Sequence, residues 1–86
     1  MRKILFDSVC FEDFTEWSQK DNQTFKKICR LIKEIVRDPF SGTGKPEPLK
    51  HQLQGYWSRR IDDEHRLVYK VTEDEIIIIS CKNHYS

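Results

Sequence analysis

The sequence predicts an α+β fold in which two amino-terminal helices pack on one face of a small, mainly antiparallel β-sheet. In the first half of the chain, apolar residues recur with the 3.6-residue period of a helix; in the second half, three strand-like runs are joined by short polar turns. Helices segregated to one side of an antiparallel sheet are typical of α+β proteins. With 86 residues, the chain is long enough for one core, so residues 1–86 form a single domain.

The chain begins with a strand candidate and a first helix. RKILF, residues 2–6, has the apolar content of a short strand, and Asp7 or Ser8 then offers a side-chain oxygen to the free N–H groups of a helix start. This helix is amphipathic. Its apolar stripe comprises Cys10, Phe14 and Trp17.

The second helix is the clearest element in the sequence. Asp21 or Asn22 can cap its start, and it must end at Asp38 because Pro39 disfavours helical geometry in the residue before it. Its two faces differ in character. Its apolar side carries Phe25, Ile28, Cys29, Ile32, Ile35 and Val36, and its basic side carries Lys26, Arg30, Lys33 and Arg37.

A stiff loop and three strands complete the domain. The loop at residues 39–48, PFSGTGKPEP, contains three prolines and two glycines, which exclude regular structure and limit flexibility. Short polar links at 62–64 and 72–74 predict antiparallel hairpins between the strands that follow. The predicted strands are YWSRRID at 56–62, HRLVYKV at 65–71 and EIIIISC at 75–81.

Composition restricts the class of protein. No apolar run is long enough to span a bilayer, and the start MRKILFDSV lacks the features of a secretory signal, so we expect a cytoplasmic protein without a membrane partner. Three widely spaced cysteines, none in a C-x-x-C pair, fit neither a disulfide framework nor a zinc site and are expected to be reduced. Residues 23–70 carry eleven Lys and Arg against six Asp and Glu, a net charge of +5, which favours a polyanionic partner. Ordinary solvated faces are the alternative.

The residues that could carry out chemistry lie on the loop, on the hairpin strands and at the end of the chain. They are Glu47, Lys50, His51, Arg59, Arg60, His65, Arg66, His84 and Tyr85. A carboxylate, a histidine and several guanidinium groups suit RNA cleavage through the 2′-hydroxyl, which needs a base, an acid and fixed cations around the phosphorus. Arg66 and His84 are expected to meet at one edge of the meander.

Structural roles compete with each of these assignments. An exposed Glu and a lone His are more often structural than catalytic, the arginines could form an outward sheet face, and His51 and His65 could be structural or adjacent to substrate. Glu47, His51, His65 and His84 lack standard ligand spacing, so no metal site is predicted. A carboxylate beside arginines is also a weak proton acceptor, so a histidine or the substrate could replace Glu47 as the base.

Four motifs in order carry a resemblance to a known family. GKPEPLKH at 44–51, GYWSRRI at 55–61, EHRLVY at 64–69 and the terminal His84-Tyr85 pair are similar to the YoeB (Txe) family of RelE-like bacterial toxins. The resemblance covers essentially the whole chain. It implies a compact, microbial-RNase-like fold and a ribosome-dependent messenger-RNA endonuclease that cuts the codon in the decoding (A) site without a metal or other cofactor.

The resemblance also implies roles for individual residues. The general base falls on Glu47, the general acid on His84 and the transition-state arginine on Arg66. Further positions are RNA-binding candidates: Lys50, Arg60 and Tyr85 match family positions that bind the phosphate or base, and Arg59 and His51 lie beside them in sequence. By analogy, the basic side of the second helix, Lys26, Arg30, Lys33 and Arg37, contacts ribosomal RNA.

Partners follow from the resemblance as well. It implies a YefM/Phd-type antitoxin, the ribosome with its message, a homodimer, and binding of operator DNA only as a toxin–antitoxin complex. We further hypothesise that antitoxin binding moves His84 and Tyr85. Two other functions use the same basic surface: a non-catalytic module that blocks the decoding site, and a protein-interaction module for an acidic partner.

Overall fold

The computed structural model of the protein describes residues 1–83. Two helices precede most of a five-stranded sheet, as the sequence predicts for an α+β fold. The elements are β1 Lys3–Phe6, α1 Ser8–Lys20, α2 Asn22–Arg37, β2 Glu47–Pro48, β3 Tyr56–Arg60, β4 Arg66–Val71 and β5 Glu75–Ser80, with a short 3₁₀ turn at His51–Leu53. Within residues 1–83, no helix has the length and apolar character needed to cross a membrane.

Both helices begin at an aspartate. The Asp7 carboxylate accepts a hydrogen bond from the Cys10 N–H, and the Asp21 carboxylate accepts one from the Thr24 N–H. Each bond satisfies one of the N–H groups that a helix start leaves unpaired. α2 ends at Arg37, immediately before Asp38, so the predicted limits of both helices are confirmed.

The sheet has the strand order β1-β5-β4-β3-β2. β1 runs parallel to β5, and the other three pairings are antiparallel, so the prediction of a mainly antiparallel sheet is confirmed. A β-bulge interrupts the β4–β5 ladder: Val68 lies opposite Ser80, Tyr69 lies opposite Ile78, and Ile79 between them has no partner on β4. Bulges bend the strand that carries them, so β5 changes direction close to its end.

The prediction that residues 39–48 contain no regular structure is wrong at their end. Glu47 and Pro48 form the two-residue strand β2 and pair with Ser58 and Trp57 of β3. Proline is compatible with an edge strand, where its missing N–H interrupts no inner ladder. The strand is important for the site because it attaches Glu47 to the sheet.

The core lies between the helices and one face of the sheet. This face supplies aliphatic side chains and Tyr69, and the helices contribute apolar side chains from the predicted stripes. Trp17, on the predicted apolar stripe of α1, is buried, and so is Tyr69. The buried core residues are Cys10, Trp17, Ile28, Leu31, Ile32, Ile35, Ile61, Leu67, Tyr69, Ile76, Ile78 and Cys81. The opposite face, which we call the open face, carries the half-buried Arg60 and Arg66, together with Ser58 and Val68, which are buried outside this cluster.

Candidate active site on the open sheet face

Strand register places the predicted chemistry on the open face. Arg60 of β3 lies directly opposite Arg66 of β4, and Glu47 of β2 lies opposite Ser58, which is two residues before Arg60. Side chains directly opposite in antiparallel strands point to the same face, and side chains two residues apart in one strand do as well. Glu47, Arg60 and Arg66 therefore share a face, opposite to the one that carries Tyr69.

The spacing of these three residues leaves room for a ligand. Glu47 and Arg66 are separated by two inter-strand steps and by two residues along the strand, which corresponds to roughly 12 Å between Cα atoms. The Glu47 side chain is exposed, whereas Arg60 and Arg66 are half-buried. A phosphodiester lying on this face could contact the Glu47 carboxylate from one side and the guanidinium groups of Arg60 and Arg66 from the other.

Arg66 is held by the backbone through one nitrogen of its guanidinium group. Its Nη1 donates to the carbonyl oxygens of Asp62, at 2.7 Å, and His65, at 3.1 Å. Among residues 1–83, its Nε and Nη2 groups have no hydrogen-bond partner. These are the donors that a planar guanidinium uses in forked binding of phosphate oxygens. Arg60 is more loosely held: within the described part of the chain, its side chain contacts the exposed Asp63 carboxylate through Nη2, at 3.2 Å, and no other hydrogen-bond partner.

The turn between β3 and β4 fixes the backbone that holds Arg66. The Asp62 carboxylate accepts hydrogen bonds from the N–H groups of Glu64, at 2.8 Å, and His65, at 2.7 Å. Partial burial opposes ionisation of this carboxyl group, but the two N–H groups outweigh it, and the pKa of Asp62 is lowered. The ionised form of Asp62 thus stabilises the turn.

Arg59 does not lie on the open face, which corrects the expectation that it binds RNA. It is opposite Leu67, so its side chain points into the core, and it is 0% exposed. Its Nε donates to the Tyr69 hydroxyl at 3.2 Å. A side chain enclosed in this way is not accessible to a substrate.

Arg59 instead binds the loop that leads to Glu47. Its Nη2 donates to the carbonyl oxygens of Asp38 and Ser41, at 2.8 and 2.9 Å, and its Nη1 donates to that of Thr43, at 3.1 Å. Nη1 also lies 3.3 Å from the Glu34 carboxylate. One guanidinium group therefore joins helix α2, the loop and the sheet.

The loop is then attached to the sheet itself. The Gly44 carbonyl accepts a hydrogen bond from the Arg60 N–H at 2.7 Å, and the Leu49 N–H donates to the Tyr56 carbonyl at 2.9 Å. Glu47 lies between these two bonds. Its backbone is thereby fixed on both sides, although its carboxylate stays exposed.

Lys50 and His51 follow β2 directly. Both side chains are exposed, and among residues 1–83 neither forms an ion pair. His51 has φ of 58°, in the left-handed region, where the chain turns into the 3₁₀ segment. Both residues are accessible to a ligand, and their roles stay predictions.

The carboxyl-terminal end approaches Arg66 along a defined path. The Trp17 indole N–H donates to the Cys81 carbonyl at 3.0 Å, and the Arg66 N–H donates to the Asn83 carbonyl at 2.9 Å. His84 and Tyr85 lie outside the described residues. The meeting of Arg66 with His84 therefore stays a prediction, although the residue before His84 is bonded to the Arg66 backbone.

The four basic residues predicted on α2 form one exposed stripe, which we call the basic stripe. It comprises Lys26, Arg30, Lys33 and Arg37, all exposed, while Ile28, Leu31, Ile32 and Ile35 face the core. Their spacing of four, three and four residues places them on one side of a helix. In the described part of the chain, no cluster of three or more His, Cys, Asp or Glu side chains has the geometry of a metal site.

Comparison with known proteins assigns the chain to a family. Residues 6–85 match the family model described as a YoeB-like toxin of a bacterial type II toxin–antitoxin system. The chain belongs to the YoeB toxin family. It is 56% identical over 85 residues to the toxin YoeB of Mycobacterium bovis, a match that covers 99% of this chain and 100% of that protein.

Solved structures of YoeB toxins share the fold. The Staphylococcus aureus YoeB dimer is 49% identical and superposes with a TM-score of 0.91, and the match covers 98% of each chain. The YoeB–YefM complex from the same organism is 48% identical, with a TM-score of 0.89 and coverage of 99% of each chain. The α+β fold and the family resemblance expected from the motifs are thus confirmed.

Sequence reasoning gave no specific role to two residues of this YoeB-family site. The His65 carbonyl accepts hydrogen bonds from the Ile61 and Asp62 N–H groups in the turn, and its Nδ1 accepts one from the Asn83 N–H. The Trp17 indole N–H donates to the Cys81 carbonyl from helix α1. The only sequence signal was that His65 directly precedes Arg66. Contacts of Trp17 with a residue 64 positions away leave no local pattern.

Proposed function

We propose that the protein is a ribosome-dependent endoribonuclease of a type II toxin–antitoxin system, which cleaves messenger RNA at the ribosomal A site and so inhibits translation. The observation that carries this proposal is the common placement of Glu47, Arg60 and Arg66 on one open sheet face in a YoeB-family chain. The backbone that leads to His84 is bonded beside them. A base, fixed cations and an acid are the groups that this reaction requires.

The reaction is an attack of the ribose 2′-oxygen on the neighbouring phosphorus. Glu47 takes the 2′-OH proton, the new 2′-O–P bond forms, and the P–O5′ bond breaks. His84 gives its proton to the departing 5′-oxygen. The products are a 2′,3′-cyclic phosphate and a 5′-hydroxyl, and no step requires a metal ion.

Arginine provides the charge for this transition state. Negative charge collects on the non-bridging phosphate oxygens as the fifth bond to phosphorus forms. The Arg66 donors that have no partner among residues 1–83 can bind these oxygens, while its Nη1 bonds to the turn hold it in place. Arg60, Lys50 and Tyr85 bind the phosphate or the neighbouring base, and His51 lies close to the same ligand.

Binding to the ribosome uses the basic stripe of α2. Its four exposed cations project from one rigid helix, and cations on a helix side can contact successive phosphates of ribosomal RNA. Such binding releases counterions, so its affinity falls with increasing salt concentration. The protein therefore acts in the cytoplasm, on translating ribosomes.

A YefM/Phd-type antitoxin is the expected inhibitor. Staphylococcus aureus YoeB is known as a complex with YefM and as a dimer, which supports an antitoxin complex and a homodimer for this chain. Binding of operator DNA belongs to that complex. If the antitoxin acts by moving His84 and Tyr85, hydrogen exchange of residues 80–86 changes when it is added; unchanged exchange would exclude this mode of inhibition.

The function is tested by cleavage of a defined, end-labelled message. Purified protein is incubated with the message, with and without ribosomes stalled at a known codon, in buffer whose only divalent metal ion is the Mg²⁺ that intact ribosomes require. His84→Ala is run in parallel, with Gln19→Ala, an exposed residue of α1, as the matched control. We expect cutting at the A-site codon that requires the ribosome, is kept by Gln19→Ala and is lost in His84→Ala.

Two other results would replace the proposal. Ribosome binding and translation arrest that survive His84→Ala, without any cut, would make the protein a blocking module. Cleavage only in the presence of added metal would remove the metal-independent mechanism. The assignment of the base is tested separately by the pH–rate profile of Glu47→Gln, which loses the acidic limb of the parent profile if Glu47 is the base and keeps it if another group is.

A further inference from the structure

His65 is held in a defined environment at the edge of the open face. Its side chain is only 12% exposed, and its ring lies edge-on against Trp17, with 5.0 Å between the ring centroids. The Asn83 N–H donates to its Nδ1 at 2.9 Å, and its Nε2 lies 3.7 Å from the Glu64 carboxylate. The two ring nitrogens therefore face different polar groups: a backbone N–H at Nδ1 and a carboxylate at Nε2.

The bond to Asn83 needs an acceptor on the ring. A backbone N–H can only donate, so Nδ1 is the acceptor of this bond, and Nε2 faces the Glu64 carboxylate. A side chain without an acceptor at this place would leave the Asn83 N–H without this partner.

The same two consecutive residues bind Asn83 on both sides. His65 accepts from its N–H through Nδ1, and the Arg66 N–H donates to its carbonyl at 2.9 Å. Asn83 has φ of 68°, a left-handed conformation that asparagine tolerates better than most residues. The direction in which the chain continues beyond Asn83 depends on this conformation.

We propose that His65 is a positioning residue: by accepting the Asn83 N–H at Nδ1, it holds the Asn83 backbone against Arg66 of the open face. The inference rests on the proposed function, because the acid in that mechanism, His84, follows Asn83 directly in the sequence. Loss of the acceptor releases Asn83 without unfolding of the domain.

The surroundings of His65 are charged. Glu64 faces Nε2, and the Asp62 carboxylate accepts from the His65 backbone N–H. The ring also borders a cavity of about 450 Å³. The charged side chains that line this cavity are Lys20, Asp21, Asp62, Glu64 and Lys82.

Two variants separate the acceptor from the ring. His65→Asn places an amide oxygen where Nδ1 lies, so it keeps an acceptor for Asn83 but removes the ring. His65→Phe keeps a ring against Trp17 and removes the acceptor. A role in packing alone predicts that Phe is the milder change, whereas the positioning role predicts that Asn is.

The test is amide hydrogen exchange of the free protein, followed by NMR. Rates are divided by the intrinsic rate of the unstructured chain. We expect exchange at Asn83 to be about fivefold faster in His65→Phe than in the parent or in His65→Asn, the effect of one lost hydrogen bond.

An internal control is provided by the Ile61 amide, which donates to the His65 carbonyl at 3.0 Å and reports whether the turn is intact. If His65→Phe fails to fold, His65→Leu, which also lacks the acceptor, takes its place. Protection of Asn83 in the variant without the acceptor equal to that in the parent would overturn the proposal, as would loss of protection in His65→Asn equal to that in this variant.

A second arm connects positioning with activity. On stalled ribosomes, His65→Phe should lower the single-turnover cleavage rate about tenfold with unchanged ribosome affinity, while His65→Asn keeps the rate. Reduced ribosome affinity with an unchanged cleavage rate would contradict a positioning role. Because the exchange measurements need neither RNA nor ribosomes, their result stands apart from any failure of the nuclease proposal.

Discussion

Replacement of Arg59 by Met should destabilise the domain and slow cleavage. The guanidinium is 0% exposed and donates to three loop carbonyl oxygens, to the Tyr69 hydroxyl and to the Glu34 carboxylate. Met has a similar length and is apolar, so it fills much of the volume but satisfies none of these groups. The loop that carries Glu47 then loses its contacts with the sheet interior.

The expected loss is about 3–5 kcal/mol in the free energy of unfolding, the usual cost of removing one partner from a buried charged network. The carbonyl groups carry most of it, because the Glu34 side chain is 39% exposed and its ion pair with Arg59 is screened by water. The total stability of a chain of this length is about 4–13 kcal/mol. Arg59→Met therefore removes a large part of it.

Urea unfolding followed by tryptophan fluorescence measures the change. Arg30→Met, at an exposed position of α2, is the matched control and should change the free energy by less than about 0.5 kcal/mol. Arg59→Lys keeps a charge and some donors, so it should fall between the parent and Arg59→Met. A loss below about 1 kcal/mol for Arg59→Met would refute the view that this side chain holds the loop.

Three further predictions concern the loop and the basic stripe. Gly44→Ala should cost about 1–3 kcal/mol in urea unfolding, because φ is +88° and the new Cβ would lie 2.9 Å from the Arg60 carbonyl oxygen; an unchanged midpoint would contradict it. Replacing the basic stripe with Gln should make the log–log salt dependence of ribosome affinity shallower by roughly 3, as for four lost phosphate contacts; an unchanged slope would place the contact elsewhere. Hydrogen bonds from Thr43 lower the pKa of Glu34, so the stabilisation they give is complete above the ordinary pKa of 4.5 and is lost as the pH falls through the lower pKa of the folded protein. The free energy of unfolding of Glu34→Gln should therefore fall less steeply with decreasing pH than that of the parent, and an identical pH dependence would contradict this.

The elements that could be predicted from the sequence are those with local signals. The α2 helix combines a capping aspartate, a regular apolar period and a proline directly after Asp38, and its limits agree with prediction. The hairpin strands were identified by apolar runs and short polar turns. Strand β2 was missed because two residues that include a proline carry no periodicity, and only their pairing with β3 makes them a strand.

The site was predictable only in part, for a geometric reason. Arg59 and Arg60 are adjacent and chemically identical, yet neighbouring residues of a strand point to opposite faces, so only one of them can lie on the open face. The sequence does not show which one, because the groups that bind Arg59 lie 16 to 25 residues away in the loop and in α2. Burial of an arginine depends on these distant acceptors.

The two faces of β3 and β4 connect stability with chemistry. Arg59 and Tyr69 bind the loop from the core side, and the result of that binding is the position of Glu47 on the other side of the sheet. Residues 81–83 are likewise held from two sides: the Trp17 indole N–H donates to the Cys81 carbonyl from the helix side, and the Arg66 N–H donates to the Asn83 carbonyl. Loss of a core contact should therefore lower activity before it unfolds the protein. An antitoxin that breaks only the Asn83 contacts could inactivate the site and leave the fold intact.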